Sequence, residues 1–418
     1  MEQIKINGGK VLTGTVNISG AKNSAVALIP ASLLSDDVVF IDNIPNISDI
    51  DALKEILNYL EVKVDIENNV MKIDPSNAVN KEIPENISKK LRASYYFMSA
   101  LLGKYKHVEM YFPGGCSIGA RPIDQTLKGF KALGAEIIEK DNKFIIIAKE
   151  LRGGHVYLDM PSVGATINTI LASVKAQGET IIENAAKEPE IVNVATFLNN
   201  MGAKISGAGT SEIRIQGVEK LSKGFTEVIP DRIEAGTYII AGALMGDNLK
   251  IKNIIPEHIE ALTLKLKEIG IPLEIYEDYL IISKTDKMKS VNIKTLGYPG
   301  FPTDLQQPMT TLLTQVSGTS VLEETIYENR FQNVPYLNQM GSDITIDDRK
   351  IIINGPQKLI GTTVKATDLR AGACLVLAGL ASSGTTIITD VGHILRGYGN
   401  IIEKLKNIGA DIELIEYN

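Results

Sequence analysis

The chain has 418 residues, 44% hydrophobic and 22% charged, with a formal net charge of −7. That length allows two or three domains with sizeable cores, and the acidic balance, with no long basic run, argues against nonspecific nucleic-acid binding. Two cysteines, Cys116 and Cys374, cannot build a disulfide framework and suit a reducing cytoplasm; no apolar run is long enough to cross a bilayer; and four scattered histidines without CxxC or HExxH spacing exclude the usual transition-metal sites.

The chain opens on an alternating run, Glu2-Gln3-Ile4-Lys5-Ile6, which predicts a strand and not a cleaved leader. Residues 2–16 are expected to pair, as a strand, with the second half of the chain. Thereafter one pattern recurs: an apolar-periodic helix end, a glycine, and an alternating strand. It stands at Leu133-Gly134-Ala135, Met201-Gly202-Ala203, Ile269-Gly270-Ile271, Met340-Gly341-Ser342 and Ile408-Gly409-Ala410, spaced almost evenly, with a weaker first copy in which Glu61 takes the glycine's place. The glycine reads as the left-handed residue that closes a helix. Further helices ending at small-residue breaks, at Gly103, Gly178 and Gly384, complete a unit of strand, helix, strand, helix, strand, strand. Such a unit buries too little surface alone. Six of them therefore predict two domains of three, 22–229 and 1–21 plus 230–418, changing over near Pro230. Residues 166–176 and 370–381 are apolar nearly all round and read as helices buried inside a domain.

Residues able to carry chemistry gather where helices are expected to begin. Ser19-Gly20-Ala21-Lys22-Asn23-Ser24 would suit an anion through free backbone amides and Lys22, or would simply cap a helix beside a solvated lysine. Arg92 stands at another expected start, where a plain surface arginine is the alternative. The most distinctive stretch is Pro113-Gly114-Gly115-Cys116-Ser117-Ile118-Gly119-Ala120-Arg121-Pro122. Its glycines allow a tight turn, and the Arg121 guanidinium would favour the Cys116 thiolate; the alternative is a surface loop with an incidental cysteine. Met160-Pro161-Ser162-Val163-Gly164 is either a phosphate cradle or a capping loop, Glu188-Pro189-Glu190 is an acidic site or a turn, and Asp231-Arg232 begins a comparable stretch. Pro302-Thr303-Asp304 sets one carboxylate before a helix, as a general base or as an N-cap. Thr367-Asp368-Leu369-Arg370 pairs an acid with an arginine, and His393-Ile394-Leu395-Arg396 supplies a last arginine. No P-loop pattern occurs, and the nearest dinucleotide fingerprint, at Gly207-Ala208-Gly209, has Glu212 where its third glycine belongs. Lys22, Arg92, Arg121, Arg370 and Arg396, at or near helix starts of different units, are expected to form a cationic cleft between two facing domains, as a small polyanionic substrate requires. With Cys116 as acid and Asp304 as base, the expected chemistry is proton transfer on phosphorylated or carboxylated substrates.

These stretches, together with Glu328-Asn329-Arg330-Phe331 and Arg396-Gly397-Tyr398, run through the whole chain in the order characteristic of the enolpyruvyl transferases. The chain resembles the UDP-N-acetylglucosamine 1-carboxyvinyltransferases of that family; the sister branch, from the shikimate pathway, shares the fold but lacks the cysteine loop. The resemblance implies an α/β fold of two inside-out barrel-like domains, each of three βαβαββ repeats, closing over substrate. It implies transfer of the enolpyruvyl group of phosphoenolpyruvate to the 3′-hydroxyl of UDP-N-acetylglucosamine with release of phosphate, the first committed step of peptidoglycan synthesis. It implies a cytoplasmic enzyme with no cofactor, metal, nucleic-acid or membrane partner, and a monomer is expected. By the same resemblance Cys116 protonates the methylene carbon of phosphoenolpyruvate and is the target of the epoxide fosfomycin, Asp304 takes the proton of the sugar hydroxyl, and Lys22, Arg121 and Arg396 hold phosphate and carboxylate. Asn23, Arg92, Arg121, Pro122, Ile123, Asp124, Gln125, Ser162, Val163, Gly164, Ile326, Asp368 and Arg370 complete the implied substrate contacts. Three positions depart from the family pattern: Thr126 where a histidine is common, Met160 where a longer polar residue is common, and Leu395 where an acid is usual. None removes an implied catalytic group.

Overall fold

The computed structural model describes residues 2–113 and 123–416. The chain divides into two compact units, one within Gly20–Ile229 and the other formed by the stretches up to Ser19 and from Pro230 onward. Each has its own hydrophobic core.

In the first unit, Val39–Asp42 runs parallel to Gly224–Glu227 and antiparallel to Val70–Asp74, which pairs with Lys63–Glu67. His155–Tyr157, Glu179–Glu183, Glu212–Gln216 and Lys204–Ser206 repeat that order. His107–Tyr111, Lys143–Ile147 and Glu136–Lys140 form the remaining sheet, in which a single bridge from Ile83 to Met110 stands where a first strand is expected. The second unit repeats the pattern in three sheets, whose parallel pairs are Thr15–Asn17 with Leu249–Lys252, Ile293–Lys294 with Gly318–Glu323, and Thr363–Lys365 with Thr385–Thr389. Parallel pairs demand a crossover; a helix supplies it between His155–Tyr157 and Glu179–Glu183, between Ile293–Lys294 and Gly318–Glu323, and between Thr363–Lys365 and Thr385–Thr389, whereas the partners of Val39–Asp42 and Thr15–Asn17 lie far along the chain. The N-terminal 2–16 region is not one strand. Glu2–Asn7 lies between Thr385–Thr389 and Asp411–Glu416, whereas Thr15–Asn17 enters a different sheet. Gly8-Gly9, with Gly9 at φ 85°, and Gly14 at φ 89° break the run between them.

The crossover helices form the centre of each unit. Val163–Ser173 has every residue from Ala165 to Ser173 buried, and Leu369–Ala381 every residue from Arg370 to Leu380. Being apolar on all sides, they have no face to give to water. Both begin a little before their expected starts, and the first ends at Ser173 instead of Ala176. The other helix of each repeat is amphipathic; Ser48–Tyr59 buries Ile50, Leu53, Ile56 and Leu57 along one stripe. The repeated glycines close these helices in the left-handed region, with φ between 88° at Gly134 and 104° at Gly202, and Glu61 adopts the same conformation at φ 63°. Gly103 does not end its helix, which continues to Tyr105 and closes at Lys106, φ 59°.

Among the described residues no helix is long and apolar enough to cross a membrane, and no three His, Cys, Asp or Glu side chains gather as metal ligands.

Candidate active site

Cys116, Arg121 and Pro122 lie outside the described residues. The remaining expected site residues are spread over helix starts, a helix end and connecting loops.

In the first unit, Lys22 opens the helix Lys22–Ala31, whose N-cap Ala21 has no side chain able to cap it. Its ammonium is 2.6 Å from the Asp49 carboxylate, and their side chains are only 13% and 6% exposed. Lys22 is thus an ion-paired lysine and not a solvated one. Asn23 follows it, half-buried. Arg92 begins the turn Arg92–Tyr95, its guanidinium over the Tyr95 ring. Ser162 caps Val163–Ser173 by accepting from the Ala165 amide. Gly164 beside it is required by contact: a Cβ there would lie 1.5 Å from the Tyr95 hydroxyl oxygen. The turn Arg92–Tyr95 and the start of Val163–Ser173 therefore touch. Ile123 takes the N-cap position of Asp124–Ala132. Asp124 is exposed, and Gln125 joins it to Asp159, accepting from the Asp159 amide at 2.9 Å and donating to its carboxylate at 3.0 Å. Of the three departures, Thr126 is buried, Met160 is 62% exposed and Leu395 is half-buried.

The second unit holds the densest arrangement. Asp304 lies inside the turn Thr303–Leu305, with Pro302 in the cap position, so it is not an N-cap. Its Oδ1 accepts from Arg330 Nη2 at 2.7 Å and its Oδ2 from Arg370 Nη2 at 3.1 Å. Burial alone would raise the Asp304 pKa; the Arg370 and Arg330 guanidiniums outweigh it and hold the carboxyl well below the usual aspartate range. Arg330 and Arg370 are 3% and 4% exposed, while the Asp304 side chain keeps 24% of its surface open. Arg370 also donates to the buried Tyr398 hydroxyl at 3.0 Å, which pairs with Thr237.

Asp368 is the N-cap of Leu369–Ala381. Its Oδ1 accepts from the Arg370 and Ala371 amides, both at 2.9 Å, and its Oδ2 from Gln307 Nε2 at 3.3 Å. It is 2% exposed, so the structure gives it a capping task and no open face. Ile326 is 41% exposed and its amide donates to Glu324. Arg396 is not at a helix start: it is the C-cap of the one-turn helix Gly392–Leu395.

The residues missed from sequence are those that hold others in place. Asp49 and Tyr95 were not singled out, and Arg330 carried only a resemblance. Their partners lie far along the chain. In sequence Asp49 is only an acid in the first turn of an amphipathic helix, an ordinary exposed position, and nothing local announces its burial.

The sequence model of the family described as EPSP synthase (3-phosphoshikimate 1-carboxyvinyltransferase) matches residues 6–405. A Geobacillus kaustophilus protein named UDP-N-acetylglucosamine 1-carboxyvinyltransferase 2 is 53% identical over 412 residues, covering 99% of this chain and 96% of that protein. A Bacillus subtilis protein of the same name is 54% identical over 413 residues, with the same coverage. Among solved structures, the enolpyruvyl transferase NikO from Streptomyces tendae is similar at a TM-score of 0.91 and 26% identity, over 100% of this chain and 99% of that one. An EPSP synthase from Acinetobacter baumannii shares the fold at a TM-score of 0.75 and 19% identity, over 100% of both chains.

Proposed function

We infer the function from one premise: the chain belongs to the EPSP synthase (3-phosphoshikimate 1-carboxyvinyltransferase) family. Within it, the chain transfers the enolpyruvyl group of phosphoenolpyruvate to the 3′-hydroxyl of UDP-N-acetylglucosamine and releases phosphate, in peptidoglycan synthesis. The observation that carries this acceptor is the nearly end-to-end match, at more than half of all positions, to proteins named for it.

In the mechanism we propose, the Cys116 thiol gives its proton to the methylene carbon of phosphoenolpyruvate. The neighbouring carbon becomes electron-poor, the sugar oxygen bonds to it, and Asp304 takes the hydroxyl proton. Loss of a proton from the new methyl group then expels phosphate and restores the double bond. An Asp304 held so acidic by Arg330 and Arg370 is a weak base. A weak base suffices here, because a hydroxyl bonding to an electron-poor carbon becomes strongly acidic as the bond forms. The same arginines keep Asp304 ionised and fixed in direction, so little reorganisation is needed when the proton moves. Lys22, Arg121 and Arg396 would hold phosphate and carboxylate. Asn23, Arg92, residues 121–125, residues 162–164 and Ile326 would contact the sugar nucleotide, with Asp368 and Arg370 supporting Asp304.

The test is phosphate release from phosphoenolpyruvate with UDP-N-acetylglucosamine, run beside shikimate 3-phosphate as acceptor. Release with the sugar nucleotide alone is expected. Release only with the shikimate ester, or with neither, overturns the reading.

A further inference from the structure

Glu324 is 1% exposed, and no step above uses it. A buried carboxylate is costly unless its oxygens are occupied, and these are. Oε1 accepts from Thr295 Oγ1 at 2.9 Å and from the amides of Ile326 and Tyr327 at 2.8 and 3.2 Å. Oε2 accepts from Thr303 Oγ1 at 2.8 Å. Thr303 has one proton, and giving it to Glu324 leaves its oxygen free to accept from Arg330 Nη1 at 2.8 Å. The other arm of that guanidinium holds Asp304.

An amide could not replace Glu324. With its NH2 toward Thr303, the Thr303 hydroxyl proton loses its acceptor; with its NH2 toward the loop, two amide donors and a hydroxyl face a donor. Only an acid fits both sides. From this geometry we propose that Glu324 is a positioning residue: it couples the 325–327 loop to the Asp304 carboxylate through Thr303 and Arg330. The coupling rests on the enolpyruvyl-transfer reading only for its purpose, which is to make the aim of Asp304 depend on how the Ile326 loop is seated.

Among the described residues, the charged and titratable groups facing Asp304 include Arg330, Arg370 and Arg232, with Tyr398 and Asp231 acting on Arg370 and Tyr327 and Glu324 on Arg330. Thr303→Val cuts the middle of the relay while keeping the Glu324 charge, and Glu324→Gln cuts its start. Each should lower kcat by about ten- to a hundredfold with a much smaller change in KM for phosphoenolpyruvate, the size of effect expected when a reacting group is misaimed. Their effects should overlap in the double variant, and Thr303→Ser should restore the rate. With Arg330 loosened, Thr303→Val should also move the acid limb of the kcat profile to higher pH. A loss of activity that only follows the folded fraction in circular dichroism, an unmoved pH profile, or losses that multiply in the double variant would overturn the proposal. Asp304 carboxyl titration by 13C NMR in the free protein provides a readout independent of turnover. If the wild type transfers no enolpyruvyl group, the functional reading fails, and the coupling stands or falls on whether Thr303→Val raises that titration.

Discussion

Asp368→Ala separates a capping role from a substrate-binding one. The substitution removes the acceptor for two helix amides and for the side chain of Gln307, all at a position 2% exposed. Loss of an N-cap costs about 0.5–2 kcal/mol, and leaving a buried donor unpaired costs about 1–3 kcal/mol. Together these predict about 3 kcal/mol, or about 6–12 °C in the melting transition of a unit this size. Because the same turn carries Arg370, which holds Asp304, kcat should fall as well. Asp368→Asn keeps an oxygen for the helix amides and should recover most of both losses. Differential scanning calorimetry and steady-state kinetics read the two effects. An Asp368→Ala protein that melts within about 1 °C of wild type, or an Asp368→Asn protein that melts normally while its KM for the sugar nucleotide rises tenfold, would refute the capping argument.

Arg330→Met leaves Asp304 with Arg370 as its remaining direct ion-pair partner and should cost about 3–5 kcal/mol at neutral pH, as expected when one member of a buried pair is removed. The folded-state pKa of Asp304 is depressed, so its ion pairs stabilise the fold above the unfolded aspartate value of about 3.9 and lose that contribution as pH falls below it. The melting curves of wild type and Arg330→Met should therefore converge in acid, and a constant gap down to the lowest accessible pH would contradict the assignment. Gly164→Ala should displace Tyr95 and weaken sugar-nucleotide binding in calorimetric titration; Tyr95→Phe should restore part of the affinity by removing the atom that clashes. Cys374 is fully buried, burial pushes its thiol up to about 12, and it lies within 3.1 Å of Thr311 Oγ1. A thiol reagent should thus count one cysteine per native chain and two in denaturant. That reactive thiol should disappear in Cys116→Ala along with turnover and fosfomycin labelling, whereas Cys116→Asp should keep turnover and resist the drug.

The repeat was legible because its signals are local. A residue closing a helix in the left-handed region is a matter of a few neighbouring dihedrals, so Gly134, Gly202, Gly270, Gly341 and Gly409 could be read directly, and even Glu61 keeps the conformation. The central helices were legible because an all-round apolar sequence has nowhere to go but inside. Asp304 could be picked out, but not its state. One of its partners is 26 residues away and the other 66, and nothing in either local sequence announces the ion pair. Arg396 was misplaced for a related reason: the one-turn helix before it leaves too little periodicity to orient. The division of residues 2–16 between two sheets turned on Gly8-Gly9 and Gly14, which a search for alternation passes over.

The pairing of Glu2–Asn7 with Asp411–Glu416 has a consequence for synthesis. A ribosome releases the first of these strands long before the second. The unit within Gly20–Ile229 can collapse as soon as its own residues emerge, but its neighbour must keep Glu2–Asn7 waiting until Thr385–Thr389 and Asp411–Glu416 have been made. Such remote pairing slows folding, and it makes the C-terminal residues the latch of that unit. A chain truncated before Asp411 would present Glu2–Asn7 as a bare sheet edge, open to pairing with another molecule.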